Sequence, residues 1–478
     1  MVNKTYCLPL LFLLSSCALG PDYTRPDIAI PASYKEDITP WKFAEPSDDK
    51  DRGAWWDVFN DLVLNNLIES LNHSNQSLLN AIANYQQAKA LVAQARAAYF
   101  PTLTGSVDMT RQKGSLASTN GNEIATINNT NLIELDASWE PDLWGKVRRS
   151  IEASESSAQA NRALLASTQL SLQASLAQYY FQIRTLDANQ WFLDESIIAL
   201  SKTLAIANNQ YQAGIIAQAD VLAAQSQVDV AKASSFSNET TRAQYEHAIA
   251  VLIGQTPATF TLPASPLLTN AIIPIELTIP AALLERRPDI AQAECLVAQA
   301  NAQIGVATAA YFPSISLSAV GQIPGENFSH WLSLPATAWG IGPQLSETLF
   351  DGGLREAQLQ AAQANYEATV ANYRQTVLSA FQEVEDALVA LRLLSTQEDS
   401  LQQAAKAAAK TLAMTINQYE AGTVSAATVA SARISALSAE QNAADMTGQR
   451  MVATVSLIKA LGGGWHAAAE DFKEDRAN

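Results

Sequence analysis

The sequence predicts a mixed α/β membrane protein in which long coiled-coil α-helices are joined to four β-strands that form part of a shared transmembrane β-barrel. Three observations predict this fold class: an internal repeat, two very long segments without glycine or proline, and four short segments in which apolar and polar residues alternate. A repeat of this length sets the architecture of every segment inside it.

The chain of 478 residues is an internal duplication. Residues 209–254 return without an insertion as residues 417–462, and residues 98–101 return as residues 310–313. Length alone would suggest about three domains, but the duplication predicts two copies of one unit of roughly 200 residues. We place a first repeat at 61–256, a Pro-rich linker at 257–284, a second repeat at 285–464 and a carboxyl-terminal tail at 465–478.

The amino terminus is typical of a lipoprotein signal peptide that covers residues 1–16. Lys4 supplies a positive start, residues 8–14 are apolar, and small residues precede Cys17. We expect Cys17 to become the lipidated first residue of the mature chain, followed by an extended, lipid-anchored segment that runs to residue 60. The alternative is a plain secretory signal in which Cys17 is incidental.

Composition and residue spacing argue against several classes of function. The formal charge of −17 disfavours nucleic-acid binding, which needs a basic surface. The four histidines show no metal-ligand spacing, and the glycine pairs of the chain lack the lysine context of a phosphate loop. Beyond the signal, no run of 18 apolar residues is present, so any membrane crossing would use strands. We predict no catalytic residues, no metal, no cofactor and no enzyme activity.

Two segments, 146–213 and 354–421, contain neither glycine nor proline and predict single helices of roughly 100 Å at about 1.5 Å per residue. Apolar residues along them recur at steps of three, four and seven, which is coiled-coil spacing. Each ends at a glycine suited to stopping a helix, Gly214 or Gly422. Return helices are expected at 215–253 and 423–461.

Four segments alternate between apolar and polar residues and predict strands. They lie at 102–111, 131–140, 314–321 and 339–346. About ten residues per strand with one apolar face is typical of a transmembrane barrel wall, although an ordinary half-buried sheet produces the same pattern. Four strands cannot close a membrane barrel, and an open edge in lipid leaves backbone groups unpaired. More than one protomer must therefore contribute strands.

Several motifs make the chain similar to a known family. They include the segment from Cys17 to Tyr23, the tryptophan pair at 55–56, and a group of residues near the start of the second repeat, namely Arg286, Arg287, Pro288, Asp289, Gly305, Phe312 and Pro313. On these motifs the chain resembles the TolC-like outer membrane factor family, in its OprM and NodT branch of outer-membrane efflux lipoproteins. The resemblance covers essentially all of the mature chain.

The resemblance implies a homotrimer with a twelve-stranded barrel in the outer membrane and a helical tunnel in the periplasm. It implies an outer-membrane channel of a tripartite efflux or export system, a passive duct that works with a periplasmic adaptor protein and an inner-membrane transporter. Contact with outer-membrane lipid follows from the anchor and the barrel. The alternatives are a type I secretion duct or, in a different class, a periplasmic helical adaptor or scaffold.

The resemblance also assigns a role to the glycine turns. Gly214 and Gly422 would form the periplasmic tip that closes the tunnel and docks to the adaptor, and Asp220 follows the first of them by six positions. Family members often carry aspartates six and nine positions after the second glycine, where this chain has Thr428 and Ser431. Either Asp220 supplies an acidic ring by itself, or this tunnel mouth is less cation-selective than those of its relatives. The alternative is that Asp220 only caps its helix.

Overall fold

The computed structural model describes residues 19–31, 34–35, 54–116, 124–265, 286–325 and 337–463. Cys17 and part of the predicted linker lie outside these ranges. Within them, a short 3₁₀ helix at Trp55–Phe59 precedes seven helices and four strands. In chain order these are α1 (Leu62–Ser74), α2 (Gln76–Ala97), β1 (Thr102–Leu116), β2 (Ile124–Trp139), α3 (Lys146–Gln212), α4 (Gln218–Leu252), α5 (Pro288–Ala309), β3 (Ser314–Gly325), β4 (Ala338–Ser346), α6 (Leu354–Glu420) and α7 (Ala426–Ala460).

The described residues fall into two compact units, and each unit draws on both repeats. The first takes its residues from within Met1–Asp27, Tyr85–Asn161 and Ala293–Tyr373. The second takes its residues from within Ile28–Asn84, Arg162–Gln292 and Arg374–Asn478. The duplication therefore does not separate the chain into one compact unit per repeat.

The first unit contains an antiparallel sheet with the strand order β1-β2-β3-β4. The two repeats meet inside this sheet, because β2 pairs with β3 along a register in which Ala137 lies opposite Ala319. Apolar residues face apolar residues across neighbouring strands, as in the pair Val107 and Ile133. Polar residues do the same on the other face, where the Gln322 amide donates to Glu134 at 2.6 Å. The alternation in the sequence thus corresponds to two chemically distinct faces.

The apolar face of the sheet is exposed in the single chain. Leu103 is 72% exposed and Val107 is 59% exposed on β1, while Trp339 and Ile341 on β4 are 79% and 75% exposed. An ordinary half-buried sheet would cover these side chains with its own chain. Exposed apolar surface of this extent marks a contact with another molecule or with lipid.

Three of the four strands are clearly longer than the sequence predicted. β1 continues to Leu116 instead of residue 111, β2 begins at Ile124 instead of residue 131, and β3 continues to Gly325 instead of residue 321. β2 also ends one residue earlier and β4 begins one residue earlier than predicted. The strands are longer because backbone hydrogen bonding continues beyond the residues that alternate between apolar and polar. The alternation therefore does not predict where the strands end.

The long helices begin at the predicted residues and end one residue early. α3 and α6 each contain 67 residues, and α4 and α7 each contain 35. The return helices begin three residues later than predicted, because the residues after each glycine belong to the turn and to the helix cap. Among the described residues, no helix is both long and apolar enough to span a membrane.

The main hydrophobic core of the second unit forms where α1 packs on longer helices. Leu64, Ile68 and Leu71 lie on one face of α1 at the spacing expected of an amphipathic helix, and all three are fully buried. The same core contains fully or nearly fully buried side chains from α3, α4 and α7, namely Leu176, Tyr180, Ile183, Ile249 and Val455. This packing joins the start of the first repeat to the end of the second.

Candidate functional site

The first tip (residues 209–223) ends α3 with a tight glycine turn. Gly214 has φ +75°, a conformation that side chains disfavour. The Ile215 amide donates to the Gln210 carbonyl, and the Gly214 amide donates to the Tyr211 carbonyl, both at 2.9 Å. These two bonds form a Schellman motif, which satisfies carbonyls that the end of a helix would leave unpaired. A Cβ on Gly214 would meet no atom within 4 Å, so the glycine is required only for its backbone conformation.

The second tip (residues 417–431) repeats this geometry. Gly422 has φ +72°, and its amide donates to the Tyr419 carbonyl at 2.9 Å. The Thr423 amide donates to the Gln418 carbonyl, also at 2.9 Å. The matching sequence Asn-Gln-Tyr-x-Ala-Gly therefore folds into the same turn in both repeats.

The two return helices begin with complementary halves of one capping arrangement. In α4, Asp220 accepts a hydrogen bond from the Ala217 amide at 3.2 Å, while Ala217 has no side-chain acceptor to return the contact. In α7, the Ser425 hydroxyl accepts from the Thr428 amide at 3.2 Å, and the two hydroxyls lie 3.0 Å apart. A full capping box would need both contacts at one helix start. The structure therefore gives Asp220 a capping contact while leaving its carboxylate exposed.

Ser431, the other residue predicted at the second tip, lies on the surface of α7. It is exposed, and its carbonyl accepts a hydrogen bond from the Ser435 hydroxyl within that helix.

The second tip also carries a carboxylate that the sequence analysis missed. Glu420 is the exposed last residue of α6, where the first repeat has Gln212. Negative charge at a helix carboxyl terminus is unfavourable for the helix, so helix stability does not explain Glu420. A comparison of the two repeats for charges present only in the second repeat would have identified Glu420.

A second site lies in the first unit, where the amino-terminal strap (residues 19–25) packs on the start of α3 and on the carboxyl-terminal half of α5. The Leu19 amide donates to the Trp144 carbonyl at 3.2 Å. Gly20 adopts φ +94°, and a Cβ there would lie 2.5 Å from the Gly305 Cα. A Cβ on Gly305 would lie 2.7 Å from the Arg149 Cγ. Gly305 is thus required because two backbone segments and an arginine meet at one point.

Arg149 holds the strap by its guanidinium. It donates to the Leu19 carbonyl at 3.2 Å and forms an ion pair with Asp22 at 2.8 Å. Its other partner is Glu152 at 2.7 Å, one turn along α3. Burial lowers the pKa of Arg149, but hydrogen bonds to Glu152 and Asp22 outweigh burial and raise it. Further along the strap, the Asn301 amide donates to the Pro21 carbonyl at 2.9 Å.

The Arg-Arg-Pro-Asp motif lies in the second unit, where Arg287 contacts the carboxyl-terminal end of α7. Arg287 is only 6% exposed and donates to the Ala460 carbonyl at 2.9 Å. It also pairs with Asp289 and Glu383, each at 2.7 Å. Pro288 occupies the first position of α5, where its missing amide hydrogen costs nothing. The hydrogen bonds and ion pairs of Arg287 in the described chain are with α5, α6 and α7, and none is with a tip residue.

The Phe-Pro end of the motif is placed in the first unit. The rings of Phe312 and Trp144 lie 5.1 Å apart, and the Trp144 indole donates to the Pro313 carbonyl at 2.7 Å. Trp144 is the same residue whose carbonyl accepts the Leu19 amide. Phe312, Pro313 and Gly305 therefore belong to one structural cluster beneath the strap.

The described residues contain no group of three or more potential metal ligands. Cys295 is a free cysteine, and burial raises its pKa to about 11. A thiol with so high a pKa is a poor nucleophile at neutral pH.

The sequence and fold of this chain match those of known proteins along nearly its whole length. The family model described as outer membrane efflux protein matches residues 67–255 and 279–463. The chain is 29% identical over 466 residues to the probable efflux pump outer membrane protein TtgC of Pseudomonas putida, covering 95% of this chain and 94% of that protein. It is 28% identical over 455 residues to the outer membrane protein OprJ of Pseudomonas aeruginosa, covering 95% and 94%. The solved outer-membrane channel OprN matches with a TM-score of 0.82 and 30% identity, covering 94% of this chain and 100% of that one.

These matches confirm the resemblance and the fold class predicted from the sequence, long tunnel helices with four strands that contribute to a shared barrel. They also confirm the predicted function as an outer-membrane channel of efflux systems and the predicted location in the outer membrane. The roles of individual tip residues and of Cys17 stay predictions. With both of its repeats matched, the chain belongs to the outer membrane efflux protein family.

Proposed function

We propose that three copies of this chain form a passive duct, anchored by a lipid on Cys17, that carries small molecules from a periplasmic adaptor and an inner-membrane transporter to the exterior. The duct performs no chemistry and needs no cofactor. Energy comes from the transporter, and the duct contributes an aqueous path with a gate at the two tips. The observation that carries this proposal is the pair of matching helix tips, which give one chain two equivalent ends for a gate.

The four-stranded sheet supports the trimer. β1 and β4 stand at the two ends of the strand order, and the apolar face of the sheet is exposed. Unpaired strand edges in lipid cost several kcal/mol for each backbone group left without a partner. Three sheets joined edge to edge contribute twelve strands and leave no edge open. The relatives named as outer membrane proteins of efflux pumps support the same assembly with an adaptor and a transporter.

The tip carboxylates support a cation-attracting gate. Asp220 is the exposed carboxylate of the first tip and Glu420 that of the second, whereas Thr428 and Ser431 carry no charge. In a trimer each would be present three times around the mouth. Like charges that converge at a narrow opening raise the local concentration of cations, and nearby low-dielectric walls strengthen the effect.

The strap supports lipid anchoring at Cys17. Leu19 is bonded to the Trp144 carbonyl, next to the end of β2. Leu19 follows Cys17 by two residues in the sequence, so the chain is held by a hydrogen bond directly after the proposed lipid anchor.

The proposal is tested by reconstituting the purified, full-length protein in a planar bilayer and by running it unheated on a denaturing gel. We expect ion conduction and a band at three times the chain mass that disappears on boiling. Labelling with radioactive palmitate should be lost in Cys17→Ala while the trimer band remains. A monomer without conductance in detergent and in bilayers would refute the duct, and unchanged labelling would refute the anchor alone.

A further inference from the structure

A cleft of about 790 Å³ opens within the second unit between α3, α4, α6 and α7. This volume lies in the range of sites that hold drug-sized ligands. The two repeats contribute unlike side chains to it: Gln178 lies on the wall from α3, and the equivalent residue of α6, Asp386, also lies on the wall. The first repeat supplies mainly amides and hydroxyls, and the second supplies the carboxylates.

Two buried acceptors on the wall have no partner. Gln182 Oε1 and Asn189 Oδ1 accept no hydrogen bond from any described residue. Asn189 is only 7% exposed, and its amide nitrogen donates to Asp445 at 2.6 Å, so its oxygen is the atom left free. A buried oxygen without a hydrogen-bond donor is destabilising. The cleft therefore presents unused acceptors that a donor-bearing ligand could satisfy.

The charged groups of the cleft favour a cation. Glu383, Asp386 and Asp445 line it, and Lys459 is the only positive side chain among its lining residues. Glu383 is already paired with Arg287 at 2.7 Å, and Asp386 accepts from Gln382 at 3.3 Å. Asp445 forms no ion pair among the described residues, and its neighbour Asn189 holds one of the unpaired oxygens, so charge and acceptor lie side by side. Burial raises the pKa of the Asp445 carboxyl, in keeping with a site that favours a bound cation.

The cleft also has an apolar part. Leu186, Leu394, Val452 and Tyr245 line it alongside the polar groups. A small inorganic cation would leave these side chains without a partner, whereas an organic cation would use both parts. The carboxylate at position 445 is specific to the second repeat, because the equivalent position of the first repeat is Ser237.

We infer that this cleft binds an organic cation with N–H donors and an apolar body, held by Asp445, Asn189 and Gln182. This inference rests on the proposed function. It names the chemical class of exported molecule that the duct would bind during export. Ligand N–H groups would satisfy the two orphaned oxygens, the positive charge would sit beside Asp445, and the apolar body would lie against Leu186 and Val452.

The test uses ethidium, an aromatic cation with two amino groups, and the purified full-length protein in detergent. Binding is measured by ethidium fluorescence in the wild type and in Asp445→Asn, Gln182→Leu and the control Asp229→Asn. Asp229 is an exposed aspartate of α4 outside the cleft. We expect about tenfold weaker binding for Asp445→Asn, a smaller loss for Gln182→Leu and no change for the control.

Equal weakening in Asp445→Asn and Asp229→Asn would overturn the inference, because the dye would then respond only to the net charge of −17. Absence of ethidium binding in the wild type would mean that water alone fills the cleft. Tetraphenylphosphonium, a cation without N–H donors, should compete weakly; equal competition would refute the role of the two oxygens. The thermal unfolding temperature of Asp445→Asn should not be lower than that of the wild type, because a neutral side chain is tolerated better than a charged one at a largely buried position. Conductance is measured separately, so failure of dye binding leaves the duct function untouched.

Discussion

The two repeats keep the same backbone turns but pair their buried charges differently. Arg242 on α4 and Arg450 on α7 occupy equivalent positions of the duplication. Arg242 pairs with Asp187 at 2.6 Å, whereas Arg450 pairs with Glu398 at 2.6 Å. Glu398 corresponds to position 190 of the first repeat, so the carboxylate has moved by about one helical turn. A left-handed turn accepts few residues besides glycine, but an arginine can be neutralised from either of two adjacent turns.

The first repeat builds the larger network. Asp187 also accepts from Arg184 at 3.1 Å and from the Ser265 amide at 2.9 Å. Arg242 donates to the Leu262 carbonyl at 2.7 Å, so the same charges hold the chain that leaves α4. In the second repeat, Glu398 also accepts from the Thr447 hydroxyl at 2.8 Å and from the Gln402 amide at 3.3 Å, but within the described ranges it pairs with only one arginine. The first network should therefore be the harder one to break without loss of stability.

The largest effect is expected from Asp187→Asn. The Asp187 side chain is 1% exposed, and the change removes the carboxylate shared by the guanidinium groups of Arg242 and Arg184, of which Arg184 is only 8% exposed. Loss of one partner in a buried ion pair costs about 3–5 kcal/mol of unfolding free energy. Chemical denaturation followed by circular dichroism measures the loss, with exposed Asp194→Asn as the control. A loss no greater than that of the control would show that the network does not stabilise the fold.

Glu398→Gln should cost less unfolding free energy than Asp187→Asn. Glu398 is buried, but its one ion pair in the part of the chain that the structure describes is with Arg450, whereas Asp187 also pairs with the buried Arg184. We expect a loss of about 2 kcal/mol, typical of one hydrogen bond to a charged group. The same denaturation measurement gives the order of the two variants. If Glu398→Gln destabilises more than Asp187→Asn, the network of the first repeat is not the stronger one.

Gly305→Ala should release the strap. The new methyl group would overlap Arg149 at 2.7 Å and displace it from the Leu19 carbonyl. Overpacking of this kind costs about 1–3 kcal/mol. Hydrogen exchange of the peptide that contains Leu19 should become faster, while Gly321→Ala, placed where no atom lies within 4 Å, should leave it unchanged. Unchanged exchange in Gly305→Ala would mean that Arg149 does not hold the strap.

The tips should differ in how their charges affect ions. Asp220→Asn and Glu420→Gln should each reduce cation preference in reversal-potential measurements, since unit charges at a few ångströms interact by about 1 kcal/mol in water. Thr428→Asp should increase cation preference. Asp399→Asn, an exposed change on α6 away from the tip, is the control. Reversal potentials that stay constant in all tip variants would leave Asp220 with its capping role only.

The smallest effects are expected at the helix caps. Ala217→Ser would complete the capping box that Asp220 begins, and Ser425→Ala would remove the cap of α7. Each change should alter stability by about 0.5–1 kcal/mol, in opposite directions. Thermal unfolding of the two single variants measures this. A shift of the same sign in both would contradict the view that each tip carries half of one capping arrangement.

Local features of the sequence were enough to predict the helices, the strands and the turns. Gly214 and Gly422 end long segments without glycine or proline, and the structure shows the bonds that such a glycine permits. The ends of the strands could not be predicted, because the pairing of Lys113 with Ile127 shows no apolar alternation. Glu420 could not be predicted from the family pattern, because that pattern concerns residues after the glycine and Glu420 precedes it.

The duplication, the helix stops and the two faces of the strands follow from the amino-acid sequence, because each is a pattern that can be recognised along the chain. Three features could be recognised only from the folded chain: the need for glycine at position 305, the choice of carboxylate that neutralises each arginine, and the lack of donors for Gln182 and Asn189. These outcomes depend on contacts between residues that are far apart in the chain. Periodicity and spacing describe one element at a time and carry no information on the atoms that another element brings to it.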